Sequence, residues 1–300
     1  MSGTRHRDEA RPIFESAAIA GAPFGLEVAV DLRSTFSPAE KEELRRLYRR
    51  DGLILVRGQK LTMDQQIEAC GIFGPVLRGA MDNYIVSNVH ADGLLGNREL
   101  LFHSDIPYVP APYLGGSLHA LDVDEGVSPT RFASGFAAYE RLTSDLREKI
   151  DRLNALHVRE RAVGRRTRLT DLIPTDNCAV HSLVGRQQVT ERPFLFVNLD
   201  MTACVIGMSE AESDDLLDEI FSHLYAEDQI YDHIWKPGDI VIWDNLAVQH
   251  ARKEVGAGTR TLQRVTIAEF GYWQQYPVDL PVFDELHSVK PPAAEATAHS

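Results

Sequence analysis

The sequence has little cysteine: Cys70, Cys178 and Cys204 are the whole complement of 300 residues. They are odd in number, widely spaced and lack a C-x-x-C pair, which excludes a disulfide framework or a cysteine zinc cage and suits a reducing cytoplasm. No apolar run approaches the roughly 20 residues that span a bilayer. The opening stretch, Met1 to Pro12, has no apolar core of the secretory kind. Positive charge is also short, with 31 Lys and Arg against 44 Asp and Glu and a formal net charge of −13, which argues against nucleic acid or an anionic membrane as partner. Internal repeats, low-complexity tracts and linkers are lacking. What remains, 44% hydrophobic and 25% charged residues, is the composition of a globular α+β protein. A single domain over residues 1–300 is expected, with about 1–12 and 289–300 as loose tails, in the cytoplasm.

Local signals alternate between strand and helix. Leu26 to Leu32 has the period of two of a half-buried strand, and Ser37-Pro38-Ala39-Glu40 combines an N-cap, a first-turn proline and a capping-box glutamate that open a helix to about Arg50. Leu53 to Gly58 reads as a buried strand, Thr62 caps a second helix to about Phe73, and Tyr84 to Val89 and Leu114 to Val123 read as strands. Helices follow at Ala137–Leu142 and Thr143–Leu153, and Ser209 with Glu212 opens another to about Tyr225. The turn Lys236-Pro237-Gly238-Asp239 has type II chemistry and predicts a hairpin between Ile230–Trp235 and Ile240–Trp243. Arg260 to Ala268 is the last expected strand.

The candidate chemistry starts at Leu101-Phe102-His103-Ser104-Asp105. On an extended strand the imidazole of His103 and the carboxylate of Asp105 leave one face and can hold one metal ion. The same spacing recurs in His6-Arg7-Asp8, on a tail that cannot fix ligand geometry, and in His90-Ala91-Asp92, where Asp92-Gly93 reads as a turn. Far along the chain, Trp243-Asp244-Asn245 precedes His250. Arg260, Leu262 and Arg264 then share a strand face, and an inward arginine needs an anion, from the protein or from a ligand. Between Arg159 and Asp176 a polar loop carries Arg159, Arg161, Arg165, Arg166 and Arg168, the composition of a lid over an anionic substrate or of a plain solvated loop.

The His103-x-Asp105 pair, the Gly238-Asp239 to His250 segment and Arg260-x-x-x-Arg264, with Arg57-Gly58-Gln59 and Phe73-Gly74-Pro75, resemble the TauD/TfdA group of iron(II)- and 2-oxoglutarate-dependent dioxygenases over about Gly25 to Thr266. The resemblance implies a double-stranded β-helix (jelly roll, cupin-like) with flanking helices. It implies Fe(II) on His103, Asp105 and His250, with Arg264 and Thr130 on the distal carboxylate of 2-oxoglutarate and Arg260 as a further cofactor-binding candidate. Dioxygen would be activated as 2-oxoglutarate loses carbon dioxide to give succinate, and a C–H bond of a small organic, possibly anionic, substrate would be hydroxylated. Related halogenases carry Gly or Ala at the place of Asp105, so hydroxylation is favoured. Related enzymes form dimers or tetramers. His181 matches a family segment as a structural residue. The chain departs from the family in Phe102, where Trp is usual, and in Val127-Ser128-Pro129 before Thr130. Alternatives are a turnover-deficient jelly-roll protein that binds metal and 2-oxoglutarate, and a zinc hydrolase, which would give Arg264 no task.

Overall fold

The computed structural model describes residues 12–79, 83–159 and 166–275. In chain order the first elements are β1 (Glu15–Ala18), β2 (Leu26–Ala29), α1 (Pro38–Asp51), β3 (Leu53–Val56), α2 (Met63–Cys70), β4 (Tyr84–Ser87), β5 (Leu94–Leu95) and β6 (Leu100–His103). The middle holds β7 (Gly115–Val123), β8 (Thr130–Ser134), α3 (Gly135–Arg141), α4 (Ser144–Ile150), β9 (Asn154–Val158), β10 (Cys178–Ser182), β11 (Val184–Arg186) and β12 (Pro193–Leu195). Last come β13 (Thr202–Val205), α5 (Glu210–Leu224), β14 (Ile230–His233), β15 (Ile240–Asp244), β16 (Val248–Arg252) and β17 (Arg260–Ile267). The residues expected to start helices do so chemically. Ser37 with Glu40, Thr62 with Gln65, and Ser209 with Glu212 each form a complete capping box that satisfies two otherwise orphaned N–H groups. Gly52 ends α1 with φ 72°, where a side chain would be strained.

Two sheets position the site. The larger has the strand order β1-β2-β3-β15-β7-β17-β4-β5, and the smaller has β14-β8-β16-β6. Their inner faces meet in one core: Leu118, Val241, Trp243 and Leu262 from the large sheet pack with Phe132, Tyr231 and Val248 from the small one. The helices α1 and α2 cover the outer face of the large sheet, where Leu44, Leu47 and Ile67 bury against Ile54, Ile242 and Val265. At Gly116 a Cβ would lie 2.5 Å from the Trp243 ring, so the missing side chain on β7 is what lets that indole lie flat in the core.

The expected hairpin at 236–239 is not formed. The turn itself is present, with Asp239 N–H donating to Lys236 O at 3.0 Å and Gly238 at φ 84°. Its two strands, however, belong to different sheets: β14 pairs with β8, whereas β15 pairs with β3 and β7. Turn chemistry dictates a local reversal, but β15 is buried along Ile240–Trp243 and both its edges are taken, by β3 and by β7, so the turn serves as a sheet-to-sheet crossing.

A three-stranded sheet, β10-β9-β13, carries the fully buried His157 at its centre. Burial, and then the neighbouring His181, push His157 down from 6.5 to about 3. The unfolded chain therefore binds a proton that the folded chain refuses in that window. Stability from this group is complete above about pH 6.5 and is lost as pH falls towards 3. The expected loss between pH 6.5 and 5 is about 2 kcal/mol from this residue alone. Urea unfolding across that range should show His157→Leu with a slope one proton shallower than the wild type.

Candidate metal and cosubstrate site

The site is made by strand pairing. In the antiparallel ladder of β6 and β16, His103 lies opposite His250, so both imidazoles project from the inner face of the small sheet, with ring centroids 4.3 Å apart. On the other side of β16, Phe132 of β8 is the partner of His250, and Thr130 follows on that face. Asp105 corrects the expectation of two ligands on one strand. β6 ends at His103, and Asp105 lies in the bend after it, where Ile106 takes φ 45°, an unusual conformation for a β-branched residue. Asn245 holds that bend: its side chain accepts from Asp105 N–H at 2.7 Å and donates to Asp105 O at 3.1 Å and Tyr113 O at 2.9 Å. The Asn of Trp243-Asp244-Asn245 thus clamps the backbone of a metal-ligand candidate.

The side chains converge. Asp105 Oδ1 lies 3.8 Å from His103 Nε2 and 3.9 Å from His250 Nε2, and one donor atom from each of the three lies within 4.8 Å of the others. His103 Nδ1 is 2.7 Å from Leu101 O, which favours the tautomer whose lone pair sits on Nε2, facing Asp105. Burial, then the charge of His103, holds His250 at about 3, so it is neutral at physiological pH, as a ligand must be. Burial would raise the Asp105 carboxyl, but Arg264 outweighs it and the group stays ionised. One carboxylate and two imidazoles suit a divalent first-row metal ion. Such an ion needs adjacent donors roughly 3 Å apart, so modest side-chain contraction suffices.

Three arginines line the pocket beside His250. Arg264 donates to Asp105 Oδ2 at 2.6 Å and to the Tyr84 hydroxyl at 2.8 Å. Arg260 donates to Thr130 Oγ1 at 2.8 Å and to Ser128 O at 3.1 Å. Arg252 points a guanidinium nitrogen at the carbonyls of Leu95, Gly96 and Arg98, tying down the loop that leads into β6. The structure therefore brings Thr130 to Arg260, where the sequence reading grouped it with Arg264. Burial, then Arg252, lowers Arg260 to about 9, the mark of a cation held without a carboxylate partner.

The remaining candidates fall elsewhere. In His90-x-Asp92 the Asp92 N–H donates to His90 Nδ1 at 3.3 Å, a local turn on the surface. His6 and Asp8 lie outside the described residues, as do Arg161 and Arg165. Arg166 pairs with Asp214 and Asp218, Arg168 pairs with Asp214, and Arg159 donates to the Tyr272 hydroxyl at 2.9 Å. The described part of the basic loop is thus held by α5 carboxylates and a tyrosine, so its charge is not reserved for a substrate. His181 donates Nε2–H to Val109 O at 3.0 Å, bracing the loop after Asp105 as a structural residue. Sequence reading missed Asn245, Tyr84 and Trp235 as parts of the site. Only the first had a signal, its place in the motif before His250.

Two imidazoles and one carboxylate beside a pocket with cationic walls, between two sheets, are the donor set of a mononuclear non-haem metal oxygenase. The chain belongs to the taurine catabolism dioxygenase TauD, TfdA family, whose model matches residues 15–266. It is 30% identical over 266 residues to the alpha-ketoglutarate-dependent 2,4-dichlorophenoxyacetate dioxygenase of Cupriavidus pinatubonensis, covering 79% of this chain and 91% of the relative. It is 26% identical over 284 residues to pentalenolactone F synthase of Streptomyces avermitilis, covering 84% and 93% of the two chains. The crystal structure of AAD-2 in complex with Mn(II) and N-oxalylglycine superposes with a TM-score of 0.71 at 24% identity, over 86% of this chain and 98% of that one. The chain is a 2-oxoglutarate-dependent dioxygenase, an oxidoreductase that uses Fe(II), 2-oxoglutarate and dioxygen on a small organic substrate. No helix among the described residues is long and apolar enough to cross a membrane.

Removing one partner of the Asp105–Arg264 pair should expose its cost. Asp105→Ala leaves a buried guanidinium without its carboxylate and is expected to destabilise the metal-free protein by about 3–5 kcal/mol. Adding Arg264→Met to it should restore most of that loss in thermal or chemical unfolding.

Proposed function

We propose that the chain is a single-domain hydroxylase with a double-stranded β-helix core, acting on a C–H bond of a small anionic molecule. The observation that carries this is the meeting of His103, Asp105 and His250 beside a pocket walled by Arg252, Arg260 and Arg264. His103, Asp105 and His250 would hold Fe(II), which would supply the site for the cosubstrate and dioxygen. When bound, the iron would activate dioxygen, the oxidant, with 2-oxoglutarate giving up two electrons as it is converted to succinate and carbon dioxide and the substrate giving up the other two.

The protein's own residues position the reactants. Arg260 with Thr130 forms the anchor for the distal carboxylate of 2-oxoglutarate, because the guanidinium and hydroxyl already meet at 2.8 Å and both line the pocket next to His250. Arg264 keeps Asp105 ionised and oriented. Its Nε is buried without a hydrogen bond among the described residues and is the donor available to a substrate anion. Relatives named for 2,4-dichlorophenoxyacetate, a phenoxypropionate and a sulfate ester act on anions of this kind. Trp243, whose ring lies 4.9 Å from that of His250, keeps bulk water from that flank. The free thiols Cys70, Cys178 and Cys204 support a cytoplasmic setting, and a dimer or tetramer is the assembly proposed by family resemblance.

Anaerobic addition of Fe(II) and 2-oxoglutarate should give a weak visible charge-transfer band that His103→Ala abolishes. A wild-type protein with no band would overturn the assignment. Succinate release screened over carboxylates, sulfonates and aryloxy acids should be substrate-stimulated, which separates an enzyme from a turnover-deficient binder. Arg260→Met should raise KM for 2-oxoglutarate roughly tenfold to a hundredfold, the range expected for loss of a charged hydrogen bond. Arg264→Met should act mainly on the KM of the substrate found in that screen.

A further inference from the structure

We infer that Trp235 is a positioning residue for the cosubstrate: its indole N–H fixes the Thr130 hydroxyl so that the hydroxyl proton is presented to the ligand's distal carboxylate. The inference rests on the assignment of Thr130 and Arg260 to that carboxylate. A threonine hydroxyl has one proton to give and two lone pairs to receive. At Thr130 both lone pairs are engaged, by Trp235 Nε1–H at 3.0 Å and by an Arg260 guanidinium N–H at 2.8 Å. With two donors in place, the O–H must point along the remaining tetrahedral direction. Among the described residues no protein acceptor is hydrogen-bonded to it, and Thr130 lines the pocket shared with His250 and Arg260.

Rotation is suppressed by the surroundings. Thr130 is 2% exposed and Trp235 4%, so water does not compete for the hydroxyl. The indole is itself held: the His233 ring packs against it edge to face with centroids 4.3 Å apart, and His233 Nδ1 is 2.6 Å from the Tyr231 hydroxyl. Pairing of β14 with β8 sets His233 opposite Thr130, so Trp235, two residues further along the chain, can reach the hydroxyl from the same side. A free hydroxyl can act as donor or acceptor. One whose lone pairs are both occupied can only donate, which suits an acceptor, a carboxylate most strongly, and rejects a group that can itself only donate.

The test uses the Mn(II)-loaded full chain and two 2-oxo acids of equal chain length. One is 2-oxoglutarate, and the other is 2-oxovalerate, which lacks the distal carboxylate. By calorimetry, Trp235→Phe should weaken 2-oxoglutarate about five- to tenfold, the loss of one buried hydrogen bond. Its affinity for 2-oxovalerate should stay within about twofold of wild type if the aromatic packing is retained. In a Thr130→Val background, Trp235→Phe should add no further loss. Equal weakening of both acids, or full additivity with Thr130→Val, would overturn the inference and show that the indole only fills space. If Trp235→Phe does not fold, the indole N–H resonance of the wild-type chain loaded with diamagnetic Zn(II) in place of Mn(II) gives the answer. The three tryptophans, Trp235, Trp243 and Trp273, give three indole signals, assigned through Trp243→Phe and Trp273→Phe. The Trp235 signal should move in Thr130→Val and on adding 2-oxoglutarate, and an unmoved signal in both would overturn the inference. A wild type that binds neither acid would instead refute the assignment of the site itself.

Discussion

Antiparallel pairing of β6 with β16 is the constraint on which the site depends. It sets His103 against His250 across one ladder step, and the side-chain period of two puts both rings on the inner face. A register slip of one residue would send one imidazole to the opposite face. The third ligand cannot come from the same ladder, because β6 ends at His103. The chain instead bends through Ile106 at φ 45°, and Asn245 holds the backbone of Asp105 at both its N–H and its carbonyl. The strain at the bend is thus sustained by hydrogen bonds from an adjoining turn of the large sheet, and the candidate metal triad is a joint product of both sheets.

The second organising feature is cationic charge inside an acidic protein. Arg252, Arg260 and Arg264 are 3%, 2% and 8% exposed, and each is stabilised differently. Arg264 has a carboxylate, Asp105; Arg260 has a hydroxyl and a carbonyl; Arg252 has three carbonyls. Neutral acceptors only partly offset the desolvation of a guanidinium. The pocket wall therefore keeps a net attraction for anions, set by how the two sheets pack.

The Gly238-Asp239 turn supports this wall from behind. Asp239 accepts from Arg57 at 2.6 Å and from Lys236 N–H at 3.0 Å, and lies 3.4 Å from His233 Nε2. A Cβ at Gly238 would lie 2.8 Å from Gln59 O, so glycine is required for the turn to close on that backbone. From this turn, ordered contacts run through His233 and Trp235 to Thr130. The motif that crosses the chain from one sheet to the other also braces the residues that face the cosubstrate.

Much of the local structure was legible in the sequence because its causes are local. Capping boxes, the Gly52 helix stop, the period of two in β17 and the type II turn are all decided by neighbours within a few residues. The candidate ligands His103, Asp105 and His250 were legible only as a set with Arg264, through family resemblance and spacing, since each alone is a common residue. Tertiary structure decided the rest. The turn at 236–239 joins two sheets rather than two hairpin strands, because strand partners are chosen by long-range burial. Asp105 lies beyond its strand, Thr130 meets Arg260, and the basic loop spends Arg166 and Arg168 on Asp214. A sequence fixes which groups exist and which face of a strand they leave by. Which donor meets which acceptor depends on registers between segments more than a hundred residues apart, such as 103 with 250, and only the folded chain sets them.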